Sequence, residues 1–501
     1  MPIGTFILAI DQGTTSSRAL VVDAGGNVLG IGQQPFTQHY PQPGYVEHDP
    51  EEIWQTTLEA MATALAHAGV LPAELTAIGI ANQRETVLLW DRESGEAVSP
   101  AVVWQDRRTA GRCDELRRNG HEATFREKTG LALDPYFSGT KIAWLLEDTR
   151  GLRAAADAGV VAAGTIDSWL LWKLTGGTLH ATDYTNASRT LLFNTATLEW
   201  DDELLDILDV PRSLLPEVTP SSGELGTTSP EVIGARIPIT GIAGDQQAAL
   251  FGQAGFIPGL AKNTYGTGCF LLADTGDDRV ASRNKMLVSL SAGTKPSQPR
   301  YVVEGSVFVA GALVQWLRDE LGIIRRSDEI ETLASSVPDS GGVSIVPAFA
   351  GLGAPDWDPY ARGAILGLTR GTTKAHIARA ALEAIALSST ELLQAVHADI
   401  EGQIVELRVD GGAARNNLLM QMQADFAGLP VVRPRNIETT AMGAAYLAGI
   451  GAGIWSGEDE VAALWQPGEI FEPGLGIFQR RDRLTEWRRA VERTLGWARP
   501  E

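Results

Sequence analysis

The stretch Ile7-Leu8-Ala9-Ile10-Asp11-Gln12-Gly13-Thr14-Thr15-Ser16-Ser17-Arg18 begins as an apolar strand, meets an acid, and turns through small hydroxyl residues. Its apolar run predicts a strand over Thr5–Ile10, and Arg18–Val22 returns as a second. Asp23-Ala24-Gly25-Gly26-Asn27 supplies the next turn, and Val28–Gly32 starts a third strand. A helix start follows: Asp49 as N-cap, Pro50 at the first helical position, and Glu52 at capping-box spacing. Ile53, Trp54, Leu58, Met61 and Leu65 give that helix an apolar stripe. Strands over Ala77–Ala81 and Val87–Trp90 come next. Hairpin, helix and strand in this order predict a mixed sheet covered by helices.

The later part of the chain varies the same theme. Leu407-Arg408-Val409-Asp410-Gly411-Gly412-Ala413 repeats the pattern of apolar strand, acid and small-residue turn, as does Ile239-Thr240-Gly241-Ile242-Ala243-Gly244-Asp245. Thr373–Val396 reads as a helix and Thr439–Ala448 as a helix of small residues. The expectation is an α/β chain of two similar lobes with a cleft between them. The boundary falls near Gln253–Gly259, where Gly255, Pro258 and Gly259 break the pattern.

With 501 residues the chain is long enough for such lobes to bury substantial cores. A net charge of −21 argues against general nucleic-acid or anionic-membrane binding. It leaves room for a single anion held in a local pocket. Cys113 and Cys269 are the only cysteines, too few for a disulfide framework, and they fit a reducing cytoplasm. The run Phe6–Ile10 is short, lacks a basic lead and stops at Asp11, so it does not read as a signal peptide.

Three turns have phosphate-handling character. In the first, backbone N–H groups and the hydroxyls of Thr14, Thr15 and Ser16 can wrap phosphate oxygens. Asp11 can support Mg²⁺, and Arg18 can reach a transferring phosphoryl group. Tyr265-Gly266-Thr267-Gly268 offers a second glycine-flanked threonine. Asp410-Gly411-Gly412 with Asn416-Asn417 can meet a nucleoside. Alone, the first favours function only modestly, the second reads as an ordinary β-turn and the third also reads as a helix entry capped by Asn; three in one chain form a set. Other machinery is missing: no G-x-x-x-x-G-K-[ST], no H-R-D loop, no G-x-S-x-G elbow and no metal-spaced histidines.

The segments I-D-Q-G-T-T-S-S-R (10–18), A-N-Q-R-E-T (81–86), W-Q-D-R-R-T (104–109), G-I-A-G-D-Q-Q-A-A-L-F-G-Q (241–253), Y-G-T-G-C-F (265–270) and D-G-G-A-A-R-N-N (410–417) together resemble the FGGY family of carbohydrate kinases. The resemblance runs over essentially the whole chain. It implies two ribonuclease H-like domains of the actin/hexokinase/Hsp70 type with an active-site cleft between them, divided at 1–253 and 254–501. It also implies ATP and Mg²⁺ as cofactors, and a homodimer or homotetramer. Arg84-Glu85, Tyr136 and the Asp245-Gln246-Gln247 string resemble the members acting on glycerol, so the implied reaction is transfer of the ATP γ-phosphoryl group to glycerol.

By this resemblance Arg84, Glu85, Tyr136, Asp245 and Gln246 hold the hydroxyls, and Trp104 and Phe270 flank the carbon face. Asp245 is the implied general base, and Asp11 and Asp245 support the metal. Thr14, Thr15, Ser16, Arg18 and Thr267 hold phosphates, while Gly311, Gln315, Gly412 and Asn416 hold the rest of the nucleotide. The competing expectations are a kinase for a larger sugar such as xylulose or ribulose, and a polyol-independent ATPase of the same fold.

Overall fold

The structure is a computed structural model that describes residues 4–294, 298–400 and 404–499. Its contacts divide the chain into two compact units. One comprises Met1–Ala254, Val288–Tyr301 and Thr439–Trp465; the other comprises Gly255–Leu287, Val302–Glu438 and Gln466–Glu501.

Among the described residues, the main sheet of the first unit has six strands. Their order is Ser222–Thr227, Pro238–Gly244, Leu75–Asn82, Phe6–Gln12, Ser16–Asp23 and Val28–Pro35. The strands Pro238–Gly244, Leu75–Asn82 and Phe6–Gln12 are parallel, and the hairpin that follows Phe6–Gln12 is antiparallel. Helices cover both faces, with Pro50–Ala68 against the hairpin and Thr439–Gly451 against the parallel strands. A sheet buried on both faces has no need of polar alternation, which is why Ile7–Ile10 and Ile78–Ala81 read as unbroken apolar or small runs.

The helix at 50–68 starts as its sequence predicts: the Asp49 carboxylate accepts from the Glu51 N–H at 2.8 Å and the Glu52 N–H at 3.4 Å. The expected capping box does not form. Glu52 instead accepts from the N–H of Thr37 at 3.0 Å and its hydroxyl at 2.9 Å, because the incoming loop offers two donors within reach.

The helix Thr439–Gly451 belongs to the first unit although it lies late in the chain. Its small residues allow backbone-to-backbone approach: a Cβ at Gly79 would overlap the carbonyl of Ala444, and one at Gly241 would overlap the backbone of Ala448. The Thr240 hydroxyl also donates to the carbonyl of Ala448 at 2.8 Å.

In the second unit the strands follow the order Tyr301–Val307, Cys269–Gly276, Ala261–Tyr265, Leu407–Asp410, Val431–Pro434 and Pro467–Phe471. The hairpin 261–276 pairs in parallel with Leu407–Asp410, as the hairpin 6–23 pairs with Leu75–Asn82. The topological counterpart of Phe6–Gln12 is therefore Ala261–Tyr265. Leu407–Asp410, which resembles 7–13 in pattern, corresponds in position to Leu75–Asn82. The likeness of pattern arises because any buried parallel strand that ends at a tight turn has the same needs. Packed on this sheet are the helices Lys374–Asp399 and Asn417–Ala427, and Ile477–Glu492 packs against those two helices and the strand Ser344–Val346. No helix among the described residues is long and apolar enough to cross a membrane.

Candidate active site

The register of the first sheet puts Gln12, Asn82 and Gly244 side by side at the carboxyl ends of three parallel strands. The residues that follow, Gly13, Gln83 and Asp245, thus leave the sheet along one edge. At about 4.8 Å per strand the outer two lie roughly 10 Å apart. Ligand-binding groups in open α/β sheets gather at this edge.

Arg84 and Glu85 lie in the turn after Asn82, almost wholly buried at 2% and 1% exposure. Glu85 has φ +60°, a left-handed conformation that costs a non-glycine residue of order 1–3 kcal/mol and recurs at functional sites. The turn is held by the Ser138 hydroxyl, which donates to the Glu85 carbonyl at 2.9 Å. Arg84 Nε stands 3.4 Å from Asp245 Oδ1 and 3.8 Å from Glu85 Oε1, and its Nη1 donates to Gln247 Oε1 at 3.1 Å. Gly244 is required for this arrangement, since a Cβ there would come within 2.7 Å of the Arg84 stem.

Burial by itself pushes the Arg84 guanidinium down. Glu85, Tyr136 and Asp245 more than reverse that, so it is held above its ordinary value. The Asp245 side chain is a quarter exposed, the most accessible charge in the cluster. Tyr136 is buried, and burial followed by the Glu85 charge pushes its hydroxyl up, so it stays a neutral donor. Its backbone is fixed by Asp134 Oδ1, which accepts from its N–H at 2.9 Å, and by Lys141 Nζ, which donates to its carbonyl at 2.6 Å.

Trp104 meets Tyr136 edge to face, with centroids 5.7 Å apart. Its indole N–H donates to Thr14 Oγ1 at 2.9 Å, so one side chain ties the phosphate-type turn to the acceptor cluster. That turn is further fixed by Gly13 N–H to Ser16 O at 3.0 Å and Gln38 Nε2 to Thr14 O at 3.0 Å. Thr15 is exposed, Ser16 accepts from Gln33 Nε2 at 2.9 Å, and Arg18 pairs across the hairpin with Asp11. Gln246 is buried on the helix that begins at Asp245.

The remaining predicted residues lie in the second unit. Thr267, Gly311, Gln315, Gly412 and Asn416 line one cavity of about 410 Å³. The turn at Gly266–Gly268 receives the start of the helix Gly311–Asp319. Gly311 N–H donates to Gly266 O at 3.0 Å, and Ala310 and Ala312 N–H donate to Thr267 O at 2.8 and 3.1 Å. Gly411 has φ +85° and passes so near Tyr265 that a Cβ would lie 2.6 Å from its carbonyl oxygen. Asn416 caps the next helix, its side-chain oxygen accepting from Leu419 N–H at 2.8 Å, and the residue lines the cavity. Phe270 is half-buried on the strand Cys269–Gly276, paired with Thr264.

Sequence reasoning missed Arg189, fully buried, whose Nε donates to Glu85 Oε1 at 2.6 Å. It also missed Thr185, whose hydroxyl accepts from the N–H of Gly244 at 2.8 Å. Both lie in a polar stretch, Asn186-Ala187-Ser188-Arg189-Thr190 and its neighbours, that gives no local sign of burial. The cavity wall includes Ser327, Asp328, Glu331 and Arg415, also unforeseen.

Comparison with known proteins finds relatives over nearly the whole chain. The chain is 60% identical to the glycerol kinase of Aromatoleum aromaticum over 98% of this chain and 99% of that protein. It is 58% identical to the glycerol kinase of Bordetella parapertussis over 100% and 99%. The crystal structure of Plasmodium falciparum glycerol kinase with ADP superposes with a TM-score of 0.88 at 36% identity, covering 98% of each chain. Residues 6–252 match the N-terminal domain, and residues 261–452 the C-terminal domain, of the FGGY family of carbohydrate kinases. The chain belongs to the FGGY family of carbohydrate kinases.

Proposed function

We propose that this protein transfers the γ-phosphoryl group of ATP to a terminal hydroxyl of glycerol, giving sn-glycerol 3-phosphate and ADP. The observation that carries the reading is the buried cluster of Arg84, Glu85 and Tyr136 beside the accessible Asp245. It presents donors and acceptors at a spacing suited to a small polyol, and buried polar groups left unpaired would penalise an alcohol lacking a hydroxyl. Relatives at 58–60% identity over nearly the whole chain carry the name glycerol kinase.

Asp245 acts as general base. It accepts the hydroxyl proton as that oxygen bonds to the γ-phosphorus and the bond to the β-phosphate oxygen breaks. Arg84, 3.4 Å away, orients it. The working halves are 1–253, with the glycerol groups and the first phosphate turn, and 254–501, with the nucleotide groups. The turn at Thr14–Arg18 and the turn at Thr267 hold phosphates; Gly311, Gln315, Gly412 and Asn416 hold the nucleoside end.

Among the described residues no group of three or more acids, histidines or cysteines comes together to hold a metal. The carboxylates of Asp11 and Asp245 suit an ion that takes its other ligands from water and phosphate, as Mg²⁺ does. When bound, that ion neutralises charge on the phosphate oxygens. We place the reaction in the cytoplasm, catalysed by a homodimer or homotetramer.

The test is ADP release with glycerol, xylulose, erythritol and dihydroxyacetone in turn. Glycerol is expected to give the highest kcat/KM. Faster turnover of a pentulose, or hydrolysis indifferent to every alcohol, would overturn the reading.

A further inference from the structure

We propose that Arg189 is a positioning residue for acceptor recognition: it acts through Glu85 and Tyr136 without itself meeting the substrate. The inference deepens the reading above and rests on it.

Arg189 is fully buried, and its Nε donates to Glu85 Oε1 at 2.6 Å. Its guanidinium carbon lies 5.3 Å from the Tyr136 ring centre and 5.0 Å from that of Phe137. Arg84 approaches the same carboxylate oxygen from 3.8 Å. Two guanidiniums thus converge on Oε1, which fixes the Glu85 rotamer. Burial, then the neighbouring Arg84 charge, push the Arg189 guanidinium down, and the Glu85 carboxylate opposes them. Burying a second arginine beside the first is costly, and a pair of this kind is weak as a device for stability alone. Held against Glu85 and two aromatic rings, it specifies one geometry for the acceptor site.

The segment that carries Arg189 also reaches the base. Asp183 begins the short helix Tyr184–Ala187 by accepting from the N–H groups of Thr185 and Asn186. The Thr185 hydroxyl accepts from Gly244 N–H, immediately before Asp245, and Arg189 N–H donates to Asn186 O at 3.0 Å. One seven-residue stretch, 183–189, therefore braces both the acceptor carboxylate and the turn bearing the base.

A double-mutant cycle on the full-length enzyme tests this. Arg189→Met is expected to raise the KM for glycerol about 10- to 100-fold, the range for a hydrogen bond to a charged group. The KM for ATP should stay within about twofold, and Arg189→Lys should recover part of the loss. Because Arg189 acts through Glu85, adding Arg189→Met to Glu85→Gln should raise the glycerol KM by less than about twofold more. Full additivity in that cycle, or an unchanged glycerol KM in Arg189→Met, would overturn the assignment. Equal losses for glycerol and ATP, with a lowered melting temperature not recovered by lysine, would do the same by showing a purely structural role. Should the wild type prefer another alcohol, the functional reading fails on its own, and the same cycle is read on that alcohol.

Discussion

Around Glu85 the first unit gathers two guanidiniums, a phenol and carboxylates where water is nearly excluded. Around Thr267 the second unit presents glycine turns, the start of a helix and a cavity of about 410 Å³. In the proposed reading the first arrangement recognises by charge and hydrogen bond in a low-dielectric pocket, where each partner depends on the others. In the same reading the second recognises by backbone shape, with the space left by absent side chains as the binding element. The two should therefore break differently: the first by removing a charge, the second by adding a methyl group.

The largest effect is expected for Asp245→Asn. Loss of the base should lower kcat by about 100- to 10,000-fold while ADP affinity, measured by calorimetry, stays within about twofold. A fall of less than about tenfold would remove Asp245 from that role. Arg84→Met comes next, because it leaves Glu85 and Asp245 without a cation that lies within 3.8 Å of both. Denaturant unfolding should show a loss of about 1–3 kcal/mol, because Glu85 keeps Arg189 at 2.6 Å and Asp245 is a quarter exposed.

Gly311→Ala probes the second unit. Its Cβ would lie 2.5 Å from Gly266 O, and the turn must shift by an amount that costs about 1–3 kcal/mol. ADP should bind roughly tenfold more weakly with the glycerol KM unchanged; the reverse pattern would undo the contrast drawn above.

The smallest effect concerns pH. Burial raises the Asp167 carboxyl to about 7, against the lowering donated by the Thr165 and Thr182 hydroxyls. A carboxyl raised on folding contributes stability that is present in acid and lost as pH climbs from about 4 through 7. The stability advantage of wild type over Asp167→Asn should shrink across that window. Parallel melting curves from pH 4.5 to 7.5 would show that Asp167 does not titrate there.

Much of the fold is legible in the chain itself. The hairpin after Ile10, the cap at Asp49 with Pro50 behind it, and the helix beginning at Lys374 all follow from interactions within a few residues. Asp245 is readable as a candidate because it follows a glycine turn after an apolar strand, whereas Arg84 and Glu85 are readable only through the family resemblance. The place of Thr439–Gly451 is not readable: its uniformly small, apolar composition shows that it is buried but not against which sheet. The partner of Glu85 is equally hidden, since Arg189 lies 104 residues away in a stretch that reads as an ordinary polar loop. The likeness of 407–413 to 7–13 shows the same limit, since matching patterns occupy different positions in their sheets.

What the sequence determined alone is therefore local: strand and helix periodicity, caps, turns, and a short set of residues equipped for phosphate and hydroxyl chemistry. Those features are governed by contacts between residues a few positions apart, which composition and spacing express directly. Tertiary structure decided which candidates meet. It brought Gln12, Asn82 and Gly244 into one register, laid Arg84 over Gly244, and set Arg189 on Glu85. Such pairings depend on closing loops of many tens of residues and on desolvating charges together, and the free energy of that step belongs to the assembled fold.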